Sequence, residues 1–161
     1  MAMANPTLPR ARGMSPYLAA ALLGWLVIAV TTVHHVWGAI LYDTPWRLHI
    51  VFNGVPIALL FSLFLWLAAG RHGTKSGWLL AVLGATLIVV FCTLMLGVYE
   101  GGYNHLLKNI IYFTHGPVAW MFPDGVTGIP DDFVFEATGV AHVPAGILAA
   151  VGSWRMIRWA R

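Results

Sequence analysis

TTVHHVWGAILYDTPWRLHIVF, residues 31–52, joins two long apolar runs and decides how the chain is laid out. Its centre, Asp43-Thr44-Pro45, is turn chemistry. Thr44 is an N-cap residue type, and Pro45 suits the first helical position, where a missing N–H costs nothing. Two helices joined by so short a turn run antiparallel, side by side. The same stretch carries His34, His35, Asp43, Arg47 and His49. An ionisable side chain in hydrocarbon is costly, so it normally faces the bundle interior and finds a partner there.

Hydrophobic residues make up 59% of the 161 positions and charged residues only 9%, with a mean hydropathy of +0.76. A soluble domain carries about 25% charged residues, so the chain reads as an integral membrane protein in contact with a lipid bilayer. Four runs reach the roughly 20 apolar residues needed to cross: 17–38, 48–69, 78–99 and 137–157. The expected fold is all-α: one membrane domain, a four-transmembrane-helix bundle. Residues 100–136 are then a long outer loop. Its first part, YNHLLKNIIYFTHGPVAWMF, is read as an interfacial or re-entrant helix, and PDGVTGIPDDF as a turn region. The first run is longer than a signal-peptide core of about 7–15 residues and is read as a span, not a leader.

Charge sets the expected orientation. Arg10, Arg12, Arg71, Lys75, Arg155, Arg158 and Arg161 fall on one side of a four-span chain, with Arg47 and Lys108 opposite. By the positive-inside rule both termini are cytoplasmic. The acidic residues Asp43, Glu100, Asp124, Asp131, Asp132 and Glu136 then face outward. The expected location is a bacterial inner membrane. The isoelectric point near 9.4 reflects these flanking charges, which form no patch for nucleic acid. Arg47 is expected to snorkel to headgroups, and Asp43 to act as a cap. Asp131, Asp132 and Glu136 are expected to be solvated loop acids.

Six of the seven histidines fall on the outer half: His34, His35, His49, His105, His115 and His142. At 1.5 Å per residue, His34 and His142 lie roughly 20–25 Å from the inner boundary, below the outer interface. His49, Glu100 and His105 come out nearer the surface. Imidazole suits zinc, copper and iron, carboxylates often complete such sites, and helical bundles assemble them from inward side chains. The expected ligands of a transition metal are therefore His34, His49, Glu100, His105 and His142, with Glu100 a ligand or a catalytic base. Glu100 and His105 would diverge by about 140° on an unbroken α-helix, so Gly101 and Gly102 are expected to bend the chain between them. His34 and His35 point about 100° apart, which leaves His35 outside the site. His115, before Gly116-Pro117, is a turn residue, and His72 a solvated loop residue.

The chemistry of such a site is redox or hydrolytic. Two other readings stay open: a b-type haem with His34 and His142 as axial ligands, in an electron-transfer subunit, and a non-catalytic subunit of a larger membrane complex. Spaced small residues, as in PAGILAAVG, favour close helix contacts and hence a homo-oligomer or a partner membrane subunit. The histidine spacing matches no metal motif: HExxH is absent. Cys92 lies within an apolar run and reads as a packing residue.

Overall fold

A computed structural model describes residues 14–122 and 129–161. Among these residues every regular element is helical, and four helices are long and apolar enough to cross a membrane. Helix α1 is Pro16–Leu41. A 3-10 turn, Pro45–Leu48, leads into α2, His49–Ala69. Helix α3 runs without a break over Lys75–Phe113. It is α-helical over Lys75–Leu87, π-helical over Ile88–Leu107 and α-helical again over Lys108–Phe113. A single turn, α4, covers Val118–Met121, and α5 covers Phe133–Ala160.

The helix starts follow from local chemistry. Ser15 caps α1 by accepting from the Leu18 N–H, with Pro16 in the first turn. Thr74 does the same for α3 through the Gly77 N–H. Asp132 caps α5 through the Phe135 N–H at 2.7 Å and also accepts from Trp37 Nε1 at 2.8 Å. Asp131 accepts from the Tyr42 hydroxyl at 2.7 Å. Burial, and then the Asp131 carboxylate, push the Tyr42 phenol above its ordinary range, which keeps it a donor. Asp131 and Asp132 are therefore not free loop acids: they pin the end of α1 to the start of α5.

The hairpin turn forms as expected, with two changes. Asp43 is not a cap but the left-handed residue of the turn, at φ 50°. Thr44 stands at the N-cap position yet makes no capping bond. Its hydroxyl donates to Gly38 O and accepts from Arg47 Nε. Arg47 does not reach outward. It is 6% exposed, and its guanidinium lies 5.1 Å from the Trp46 ring centre and 5.3 Å from that of Phe135.

The largest departure is in α3. The helix that contains the third apolar run does not end near Tyr99. The helix carries Glu100, Asn104, His105 and Lys108 onward as one continuous rod, and no re-entrant segment is present among the described residues. Polar content stops a helix in lipid only if the side chains lack partners, and these have them. Asn104 donates to Glu100, and His105 and Lys108 meet Glu136. His115 is a turn residue at φ 58°. Residues 123–128, most of the expected turn region and including Asp124, lie outside the described residues, as do Arg10 and Arg12.

Helices α3 and α5 touch at backbone level. A Cβ on Gly97 would lie 3.1 Å from Gly146 Cα, and one on Gly146 would lie 2.9 Å from Gly97 Cα. Small residues at such crossings let helices in lipid gain van der Waals contact. The half of the bundle below this crossing is filled by apolar side chains, among them Ile28, Phe61, Leu65, Ile88 and Met156. At that end His72 is more than a solvated loop residue: it stacks on Trp159 at 4.1 Å, and its Nδ1 meets the Tyr17 hydroxyl at 3.2 Å. Large apolar side chains such as Leu22, Leu26, Leu60, Leu83 and Ile147 point outward, as a lipid-facing surface requires. This is the build of a membrane protein.

Candidate metal centre

Glu100 is the hub of the polar cluster. Its Oε1 lies 3.5 Å from His34 Nε2, 3.8 Å from His35 Nε2 and 3.7 Å from His105 Nε2. Its Oε2 accepts from Asn104 Nδ2 at 2.9 Å. Glu100 and His105 stand five residues apart, and the glycine bend expected between them does not occur. The π-helical stretch solves the problem differently. In an i→i+5 helix, with more residues per turn, residues five apart diverge far less than on an α-helix. Both side chains therefore leave α3 toward the same interior point.

Three distances near 3.7 Å carry chemical information. A charge-assisted N–H···O⁻ bond closes to about 2.7–2.9 Å, as His105 Nδ1 and Glu136 Oε2 do at 2.8 Å. The contacts around Glu100 Oε1 stay open. Nε2 of His34 and both ring nitrogens of His35 are buried with no hydrogen-bond partner among the described residues. Ligands bound at about 2.1 Å around a tetrahedral ion stand roughly 3.4 Å apart. One ligand atom from each of His34, His35 and Glu100 lies within 4.8 Å of the other two, a set that could hold a metal ion.

The backing of the rings fits the same chemistry. His34 Nδ1 lies 3.1 Å from Phe135 O. A carbonyl only accepts, so Nδ1 carries the hydrogen and Nε2 presents a lone pair inward. Metal-binding imidazoles almost always donate their other N–H to a carbonyl or carboxylate in this way. Phe135 also stacks on the His34 ring at 4.3 Å. A Cβ on Gly38 would lie 2.6 Å from the Phe135 ring, so Gly38 makes the room in which that ring sits.

His142 is buried, and its ring centre lies 5.4 Å from that of His34. Its nitrogens are nevertheless committed elsewhere. Nδ1 lies 3.0 Å from Gly139 O, and Nε2 lies 2.8 Å from the Thr31 hydroxyl, which itself donates to Val27 O at 2.8 Å. His142 lines the cluster without offering it a lone pair. This arrangement does not fit axial haem ligation. Nε2 of His34 points at Glu100 and Nε2 of His142 at Thr31, and the two rings stand in edge contact with no slot between them for a porphyrin. The glycines on either side of His142 leave no open space beside it. His105 occupies the space at Gly139, and Gly97 that at Gly146.

His49 is exposed, its Nδ1 lies 2.6 Å from Trp46 O, and its ring stacks on Trp46. The ring centre is 6.4 Å from that of His35. The structure groups His35, and not His49, with His34 and Glu100. The 100° between neighbouring residues does not separate His34 from His35 here, because the Glu100 carboxylate enters the wedge between them. Glu136 is a further correction. It is 8% exposed, not solvated, and binds His105 and Lys108. Its position three residues after Phe133, in the first turn of a helix, was the only sequence signal that it would enter the bundle.

No family model, no curated protein and no solved structure matches this chain.

Proposed function

We propose that this chain is a membrane metalloprotein whose centre holds one transition-metal ion near one surface of the bilayer. His34, His35 and Glu100 are its ligands, His105 stands as the fourth, and a position is left for an exogenous ligand. The observation that carries the reading is the open contact of three buried imidazole nitrogens around one carboxylate oxygen, with nitrogens of His34 and His35 unpartnered. Two histidines and one carboxylate are the donor set of non-haem iron(II) sites with open positions, and of catalytic zinc sites in which bound water becomes a nucleophile. Nitrogen and oxygen donors without sulfur favour these ions over copper(I). Such a centre supplies redox or hydrolytic chemistry to a membrane-bound enzyme. Glu100, with 16% of its side chain exposed, supports access from the bundle end.

His49 and His142, both expected as ligands, act instead at the rim and through Thr31. The charge distribution supports cytoplasmic termini and an outward, periplasmic centre in a bacterial inner membrane. The test is metal content. Purified wild-type protein should carry about one iron or zinc per chain. The double variant His34→Ala/His35→Ala should carry background levels while keeping its helical circular dichroism. Equal metal in both would sink the proposal.

A further inference from the structure

We propose that Glu136 is the positioning residue of this centre: its carboxylate holds the His105 ring so that Nε2 faces the metal. The inference rests on the metal reading above and extends it to a residue that contacts no metal itself.

Glu136 sits in the first turn of α5, three residues after the helix starts at Phe133 and beside the fully buried Phe135. A carboxylate buried there is costly unless paired. Its two oxygens divide their work. Oε1 accepts from Lys108 Nζ at 2.5 Å, and Oε2 faces His105 Nδ1 at 2.8 Å. A carboxylate only accepts, so His105 Nδ1 carries a hydrogen. The other nitrogen, Nε2, is the one 3.7 Å from Glu100 Oε1. The imidazole is thus gripped at one nitrogen and presented at the other, the carboxylate–histidine–metal geometry that fixes tautomer and ring orientation.

The packing leaves the ring little else to do. A Cβ on Gly139 would lie 2.3 Å from His105 Cγ and 2.4 Å from its Nδ1, so α5 presses on the ring face. The His34 and His105 ring centres are 4.6 Å apart at 90°. Lys108, 0% exposed and eight residues after Glu100 on α3, compensates the Glu136 charge. A hydrogen-bonded link therefore runs from Lys108 through Glu136 to His105, and ends at the three-nitrogen pocket around Glu100.

Cobalt(II) is the probe, because its visible ligand-field bands report the ligand set directly. Wild-type protein stripped of metal and titrated with cobalt should show these bands at one ion per chain. Glu136→Gln should bind cobalt about 10–100-fold more weakly, the usual effect of losing an outer-shell partner, and shift the bands. His105→Ala should shift them in the same sense, and the combined variant should add little further loss. The variant Lys108→Gln/Glu136→Gln, which removes the buried charges together, should behave like Glu136→Gln and guards against a folding defect in the single variant. Unchanged cobalt affinity and spectrum in both Glu136 variants, with a loaded wild type, overturns this role for Glu136 and leaves the metal centre standing. A wild type that takes up no cobalt overturns the metal centre and this role with it.

Discussion

Glu100→Gln should remove the metal. The substitution keeps the shape of the side chain and an oxygen that can accept from Asn104, now 2.9 Å from Glu100 Oε2. It takes away the one negative charge that His34, His35 and His105 surround. A neutral amide is a poor ligand for a divalent ion in a low-dielectric site, where the charge of the donor set matters most. Losing even an outer-shell partner weakens metal binding by about 10–100-fold, so loss of the only carboxylate ligand should exceed about 100-fold. The fold should survive, because the three imidazole contacts to Glu100 are too long to be strong hydrogen bonds. The check is a competition titration of zinc against a chelator, with wild type and variant in the same detergent. Comparable affinities would show that the carboxylate is not a ligand.

Gly97→Val should be the most damaging single change in the scaffold. The α3–α5 crossing brings Gly97 and Gly146 together through backbone atoms, with Gly146 Cα 3.1 Å from where a Gly97 Cβ would stand. No flexible side chain is there to yield, so the two helices must part. Overpacking costs about 1–3 kcal/mol in well-packed cores, and a backbone contact belongs at the upper end, about 3 kcal/mol. The crossing also lies one helical turn from Gly101, where a Cβ would meet His142 Cβ at 2.7 Å. Parting the helices therefore pulls Glu100 and His105 away from His34. Thermal unfolding in detergent should show a markedly lower midpoint and reduced metal retention. A midpoint within error of wild type would mean that the helices do not cross here.

The four apolar runs were legible from hydropathy alone, because lipid-facing helices cannot hide their composition. The tight turn at Asp43-Thr44-Pro45 was legible from turn chemistry. Depth along the helices singled out His34, His49, Glu100, His105 and His142, and of these His34 and Glu100 stand in the group that could hold a metal. What depth cannot give is rotation. His49 has a suitable depth, but the 3-10 turn Pro45–Leu48 sets it facing Trp46 and the surface. His35 was set aside by the 100° between neighbours on a helix, a rule that ignores where the partner carboxylate enters. The π-helical stretch of α3 leaves no signature in residue type, so the alignment of Glu100 with His105 could not be read. Glu136 was hidden by its neighbours: it follows a loop rich in Pro, Gly and Asp, and only its pairing with Lys108 and His105 makes its burial tolerable.

The central claim is a metal held by imidazole nitrogen and carboxylate oxygen within the bundle. X-ray absorption at the edge of the bound metal tests it most directly. The expected spectrum has a first shell of nitrogen and oxygen at about 2.0–2.2 Å, outer-shell scattering from two or three imidazoles, and no sulfur. The imidazole scattering should fall by one ring in His35→Ala. A sulfur shell, an imidazole count unchanged in His35→Ala, or purified protein without a stoichiometric metal would contradict it.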